Sequence, residues 1–278
     1  MGRVAFLFAG QGAQVPGMAA DVKGLPKVRH LFEVAEGIRP GIVDKMLGGT
    51  QEELNRTLLT QPTMFLADLA YAYAKEEEIG TPACACGFSV GEVPALTFAG
   101  VFSEEDGFRA ICKRAELMEA YTQRVQGCMI AVVKLPRDKV EALCDGVSTH
   151  PANYNGALQT VVACRAEAEA EFSAKVKEAG GRAMKLRVSG MFHCPELAEE
   201  AAAFEAFLRT LPMGAPRLDV YANLTAQPYA GDFAATLAAQ MRSPVRFTDT
   251  VANMRAASVD EFIEVGPGKV LTGLVQRG

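Results

Sequence analysis

The chain has 278 residues, 49% hydrophobic and 22% charged, enough to bury one large core or two smaller ones. A net charge of −5 provides no basic field for general nucleic-acid binding, and no apolar run approaches the length of a membrane-spanning helix. The seven cysteines (84, 86, 112, 128, 144, 164 and 194) form no Cys-x-x-Cys pair and no zinc-type cluster with His, and no signal or transit peptide is visible, so they read as reduced thiols of a cytoplasmic protein without a metal.

Residues 4–8 predict a buried strand. The loop after it, Ala9-Gly10-Gln11-Gly12-Ala13-Gln14, lacks the Lys-Ser/Thr of a phosphate-binding loop and fails the Gly-x-Gly-x-x-Gly spacing. It reads instead as backbone able to present N–H groups to an oxyanion. Helices are predicted over 25–37, 52–58 and 62–74, the last with Phe65, Leu66, Leu69 and Ala70 at helical spacing.

Residues 83–86 predict a small-apolar strand and 92–99 a helix with Pro94 in its first turn. Between them stands Gly87-Phe88-Ser89-Val90-Gly91. Strand, tight turn and helix are the setting of a nucleophile elbow. The turn puts the serine at its apex, and a side chain at either flanking glycine would strike the neighbouring strand or helix. The helix N-terminus then favours a developing negative charge. Ser89 is therefore the candidate nucleophile. The competing reading is a chance match among 26 glycines, against which the flanking strand and helix count.

Residues 103–121 predict a helix capped by Ser103, with Glu104, Glu105 and Asp106 in its first turn. Arg114 shares a face with Ile111, Leu117 and Met118. Taken alone, it reads as an arginine snorkelling past a core edge.

The pattern changes near Gly127. A strand over 128–135, a helix over 136–145, strands over 152–155 and 159–165, a helix over 167–179 and a strand over 182–188 follow one another. This β-α-β-β-α-β order is ferredoxin-like. It predicts a small domain over 126–188 inserted into a larger α/β domain over 1–125 and 189–278. Next comes Ser189-Gly190-Met191-Phe192-His193-Cys194-Pro195. Of the three histidines, His30 on a polar helical stretch and His150 before Pro151 in a loop read as solvated. His193, in a Gly-flanked apolar turn, is the one candidate base for Ser89; its competing reading is a buried histidine that only satisfies a backbone group. Helices over 196–208, 233–241, 244–256 and 270–276 alternate with strands over 218–223 and 262–265, which predicts a mostly parallel sheet.

Five separated pieces match one family: Phe8-Ala9-Gly10-Gln11-Gly12-Ala13-Gln14, Gly87-Phe88-Ser89-Val90-Gly91-Glu92, Arg114, Gly190-Met191-Phe192-His193 and Glu264-Val265-Gly266-Pro267-Gly268-Lys269. Over nearly its whole length the chain resembles the malonyl-CoA:acyl carrier protein transacylases and the related acyltransferase domains of fatty-acid and polyketide synthases. The resemblance implies an α/β-hydrolase-like domain with a ferredoxin-like insert, and a Ser–His pair with no third acidic residue. The histidine is oriented instead by the backbone carbonyl of a Gln in Gln-x-x-x-Pro-Val, which here is Gln240. By the same resemblance, the backbone N–H groups of Gln11 and Val90 hold the oxyanion, and Gln11 and Phe192 border the substrate. Arg114 grips the malonyl carboxylate, a task that suits a planar two-pronged donor. Phe192 matches the malonyl-selective forms. The implied partners are malonyl-CoA and an acyl carrier protein, with no cofactor, nucleic acid or membrane, and a monomer is expected.

Phe88 departs from the family's usual His and removes a polar group near the carboxylate; Ala9 stands where Pro is common. The elbow alone suits a serine esterase or thioesterase equally well, but a buried Arg114 would be wasted on a neutral ester. Fatty-acid and polyketide pathways, and other acyl-CoA preferences, are not separated. Two further expectations follow. The Gln240 side chain should be dispensable, since only its carbonyl has a role. An acidic carrier protein should dock on a local basic patch drawn from Lys185, Arg187, Arg242, Arg246 and Lys269.

Overall fold

Alternate residues of the first strand face opposite ways. Phe6 and Phe8 meet the Phe98 ring at 5.8 and 5.7 Å on one side, while Ala5 and Leu7 enter a second cluster with Val251 and Leu274 on the other. A strand buried on both faces belongs in the middle of a sheet covered twice. The computed structural model describes residues 2–277 apart from Arg187 and Ser189.

The first part of the chain runs β1 (Arg3–Phe8), α1 (Pro26–Ile38), α2 (Ile42–Gly48), α3 (Gln51–Leu54), α4 (Thr57–Ile79), β2 (Cys84–Gly87), α5 (Glu92–Phe98) and α6 (Glu104–Arg124). Then come β3 (Gly127–Val133), α7 (Arg137–Leu143), β4 (Thr149–Gly156), β5 (Gln159–Arg165), α8 (Glu169–Glu178) and β6 (Arg182–Lys185). The chain returns through α9 (Ala198–Leu208), β7 (Asp219–Tyr221), α10 (Phe233–Gln240), α11 (Phe247–Ala256), β8 (Val259–Val265) and α12 (Val270–Arg277). β7-β2-β1-β8 form a wholly parallel sheet. β4-β5-β3-β6 form an antiparallel one in the ferredoxin-like order. The two sheets are also joined directly. Val245 N–H donates to Ala152 O (2.8 Å) and Tyr154 N–H to Val245 O (2.9 Å), which bonds edge strand β4 to the segment just after Gln240.

Three details depart from expectation. The helices predicted over 52–58 and 62–74 break elsewhere: α3 stops at Leu54, and α4 runs unbroken through Pro62. A proline inside a helix leaves the carbonyl one turn back without its donor. Here Arg39 Nη1 supplies one, 2.7 Å from Leu58 O. His150, expected in a solvated loop, lies on β4 and is buried, its Nε2 3.1 Å from Val147 O. The strand register shifts between Pro151 and Asn153, and that irregularity is what admits the proline. The strand predicted over 182–188 ends at Lys185, and Arg187 and Ser189 lie outside the described residues. Among the described residues no helix is long and apolar enough to cross a membrane.

Candidate active site

Ser89 and His193 both occupy the left-handed backbone region, with φ of 54° and 58°. For a non-glycine residue this costs on the order of 1–3 kcal/mol and persists only where the surroundings impose it. At Ser89 the peptides on both sides are held. Asn223 Oδ1 accepts the Ser89 N–H (2.7 Å), and Gln240 Nε2 donates to the Ser89 carbonyl (2.8 Å). The glycines permit the turn: a Cβ on Gly87 would stand 1.9 Å from the Gly91 carbonyl carbon, and one on Gly91 2.3 Å from Phe8 O. That second approach lays the loop after β1 against the elbow, so Gln11 and Ser89 border one cleft. Val90 follows Ser89 in a single 3-10 turn at the head of α5.

The elements converge on Ser89. His193 Nε2 lies 2.7 Å from Ser89 Oγ, and His193 Nδ1 lies 2.9 Å from the Gln240 backbone oxygen. A carbonyl only accepts, so Nδ1 carries the proton and Nε2 turns its lone pair to the serine hydroxyl. Burial first, and then the Arg114 charge, lowers the imidazolium to about 4, which keeps the ring neutral at physiological pH. The pair can therefore move a proton from Oγ to Nε2.

Arg114 is wholly internal, which rules out snorkelling. Its Nη1 donates to Gln61 Oε1 (2.8 Å), and its Nη2 to Gln240 Oε1 (2.9 Å) and Ser89 Oγ (3.2 Å). Its Nε has no partner among the described residues. The guanidinium stands behind the serine rather than on the cleft wall. Burial lowers it to about 10, against the upward pull of Glu92, so it stays charged at neutral pH.

The cleft, about 280 Å³, is lined by Gln11, Ser89, Phe192 and His193 together with Met129 and Asn155 of the insert. Phe192 is positioned through its backbone: its N–H points at Met129 Sδ (3.2 Å). Phe88 also lines the cleft, its ring packed edge-on against Phe247 at 5.5 Å.

Sequence reasoning missed Glu92, Asn223, Tyr229 and Gln61, all buried around this centre. Asn223 follows the end of a parallel strand, where ligand-handling residues of open α/β sheets gather, and that rule could have flagged it. The Gln240 side chain, expected to be idle, is engaged in the structure. Its amide joins Arg114, Ser89 O and Glu92 Oε2, the last at 2.7 Å. Gln240→Ala is accordingly expected to slow acyl-enzyme formation about tenfold or more, because it strands buried partners. A stopped-flow measurement on the variant checks this, and an unchanged rate would restore the original expectation.

The proposed basic patch is thinner than its sequence suggests. Lys185 pairs with Glu169 (2.6 Å) and Arg246 with Asp249 (2.7 Å). Arg242 and Lys269 are exposed, and Arg187 lies outside the described residues.

A parallel α/β core with a ferredoxin-like insert, and a serine–histidine contact at the head of the elbow helix, together define an acyltransferase. A family model described as an acyl transferase domain matches residues 5–278. The chain is 33% identical to the malonyl CoA-acyl carrier protein transacylase of Escherichia coli (strain K12), over 100% of this chain and 93% of that one. It is 37% identical, over 98% of its own length, to the polyketide biosynthesis protein ThaF of Burkholderia thailandensis, of which it spans only 24%. The crystal structure of MCAT from Streptococcus pneumoniae superposes with a TM-score of 0.93 at 31% identity, covering 99% of this chain and 92% of that one. The chain belongs to the malonyl-CoA:acyl carrier protein transacylase family.

Proposed function

We propose that the chain transfers a malonyl group from malonyl-CoA to the phosphopantetheine thiol of an acyl carrier protein, through a malonyl ester on Ser89. The observation behind this reading is Arg114: a buried cation whose Nη2 lies 3.2 Å from the nucleophilic oxygen, beside the point where the acyl group would be attached. A neutral acyl group could make no charge-assisted pair with that cation.

His193 takes the Ser89 proton as Oγ attacks the thioester carbonyl. The N–H groups of Gln11 and Val90 receive the oxyanion. Coenzyme A departs as a thiol, protonated by His193. The carrier thiol then gives its proton to His193, attacks the ester and regenerates Ser89, which makes the kinetics ping-pong. Arg114 holds the malonyl carboxylate, and Phe192 closes the acyl pocket. The working unit is a cytoplasmic monomer in which 126–188 roofs a catalytic body of 1–125 and 189–278.

Intact-mass spectrometry after mixing with a panel of acyl-CoAs tests the reading. A gain of one malonyl group, stable in water and discharged by a thiol, is expected. Equal gain from neutral acyl-CoAs, or discharge by water as fast as by thiol, would make the protein a different acyltransferase or a hydrolase.

Carrier docking relies on Arg242 and Lys269, the exposed cations of the patch without a carboxylate partner among the described residues. Reversing both to Glu is expected to slow transfer to the carrier while leaving self-acylation nearly intact. The carrier step should also slow as salt rises, because exposed charges are screened beyond about 8–10 Å. A carrier rate indifferent to both would place docking elsewhere.

A further inference from the structure

Glu92 is fully buried, one helical turn after Ser89, yet the Ser–His mechanism gives it no task. Its two oxygens accept from three residues. Tyr229 OH donates to Oε1, the Asn223 N–H lies 3.3 Å from both oxygens, and Gln240 Nε2 donates to Oε2 at 2.7 Å. The Gln240 amide is thereby caught between unlike ends. Around Nε2 stand three oxygens: Glu92 Oε2, Ser89 O (2.8 Å) and Asn223 Oδ1 (3.4 Å). Against Oε1 stands Arg114 Nη2, which can only donate. A flipped amide would set oxygen against oxygens and N–H against guanidinium. An ionised carboxylate therefore permits one orientation, and Gln240 is the residue whose backbone carbonyl orients His193.

We propose that Glu92 is a positioning residue of the transfer reaction: its carboxylate locks Gln240, and through Gln240 sets His193 for proton transfer and Arg114 for the malonyl carboxylate. The proposal rests on the roles of Ser89, His193 and Arg114 given above. Asn223 extends the same arrangement to the nucleophile, since it bonds Glu92 through its N–H and Ser89 N–H through its Oδ1.

The titratable groups facing Glu92 are Arg114 from α6, Tyr229 from the segment after β7 and Cys86 from β2, with His193 beyond Gln240. Burial raises the Glu92 carboxyl to about 7, opposed by the Tyr229, Gln240 and Asn223 bonds and then by the Arg114 charge. Its locking action is present above that pH and fades as pH falls through it. His193, lowered to about 4, stays neutral across the same interval and contributes no step there.

The test measures malonyl- and acetyl-enzyme formation by wild type, Glu92→Gln and Tyr229→Phe on either side of pH about 7. Wild-type malonylation should fall as pH drops through that point. Glu92→Gln, isosteric but permanently neutral, should be slower by about tenfold to a hundredfold on the alkaline side, the range for losing a charge-assisted bond. It should show no step near pH 7, and its preference for malonyl over acetyl should drop. Tyr229→Phe removes a donor to the carboxylate, so its step should move to higher pH. Glu92→Gln with wild-type rate and preference would overturn the proposal. So would equal losses for both acyl groups with the step unmoved, which would leave Glu92 a purely structural residue. Absence of any malonyl-enzyme in the wild type would overturn the functional reading instead, so the two failures are distinct.

Discussion

Ser89→Ala is expected to abolish the acyl-enzyme, and His193→Ala to slow its formation by about two to four orders of magnitude, the scale of a lost general base. The two differ for a structural reason. Without Oγ no atom at the elbow can form the ester. Without the imidazole, Ser89 keeps its position, because Asn223 and Gln240 hold its flanking peptides independently of His193. Arg114 Nη2, 3.2 Å from Oγ, still favours a developing alkoxide. A slow but measurable malonyl-enzyme should therefore persist in His193→Ala. Intact-mass time courses give both results, and a normal mass gain in Ser89→Ala would remove Ser89 from the mechanism.

Arg114→Ala should collapse the discrimination between acyl groups. A charge-assisted pair to a carboxylate contributes about 1.5–3 kcal/mol, and each 1.36 kcal/mol is about tenfold in rate. The malonyl-to-acetyl ratio is thus expected to fall by about tenfold to a hundredfold. Acetyl transfer is not fully spared, since the same substitution leaves Glu92 and Gln240 Oε1 without their cation. The ratio, measured with both acyl-CoAs in competition, isolates the substrate carboxylate from that shared loss. Equal losses on both substrates would show Arg114 to be structural.

What the sequence discloses here depends on how local the cause is. The elbow is legible because its requirements sit within five residues: two glycines that must approach other backbone, and a serine between them. The insert is legible because strand and helix periods alternate in a recognisable order. His193 is found by elimination among three histidines. Arg114 marks the limit of periodicity, which names the helix face a residue shares but not what lies against it; Gln61, Gln240 and Ser89 arrive there from distant parts of the chain. Glu92 is hidden for a related reason. An acid in the first turn of a helix normally reads as a solvated partner of the dipole. Distant parts of the chain enclose it: the segment after β7 brings in Asn223 and Tyr229, and α10 brings in Gln240. Pro62 argues locally for a helix break, and a single donor from Arg39 cancels the argument. Lys185 and Arg246 count as free cations until Glu169 and Asp249 are seen beside them.

The two main-chain bonds between β4 and Val245 bear on how substrates are admitted. The insert is held along that edge by main-chain hydrogen bonds as well as by its covalent connections. To swing outward it must break both bonds or drag residue 245 with it, and with that residue the nearby carbonyl on which His193 depends. The same two bonds that tie the insert to the parallel-sheet domain thus also tie the width of the passage to the position of the Gln240 segment. Admitting bulkier acyl groups is accordingly expected to call for trimming side chains that line the passage, such as Met129 or Phe192.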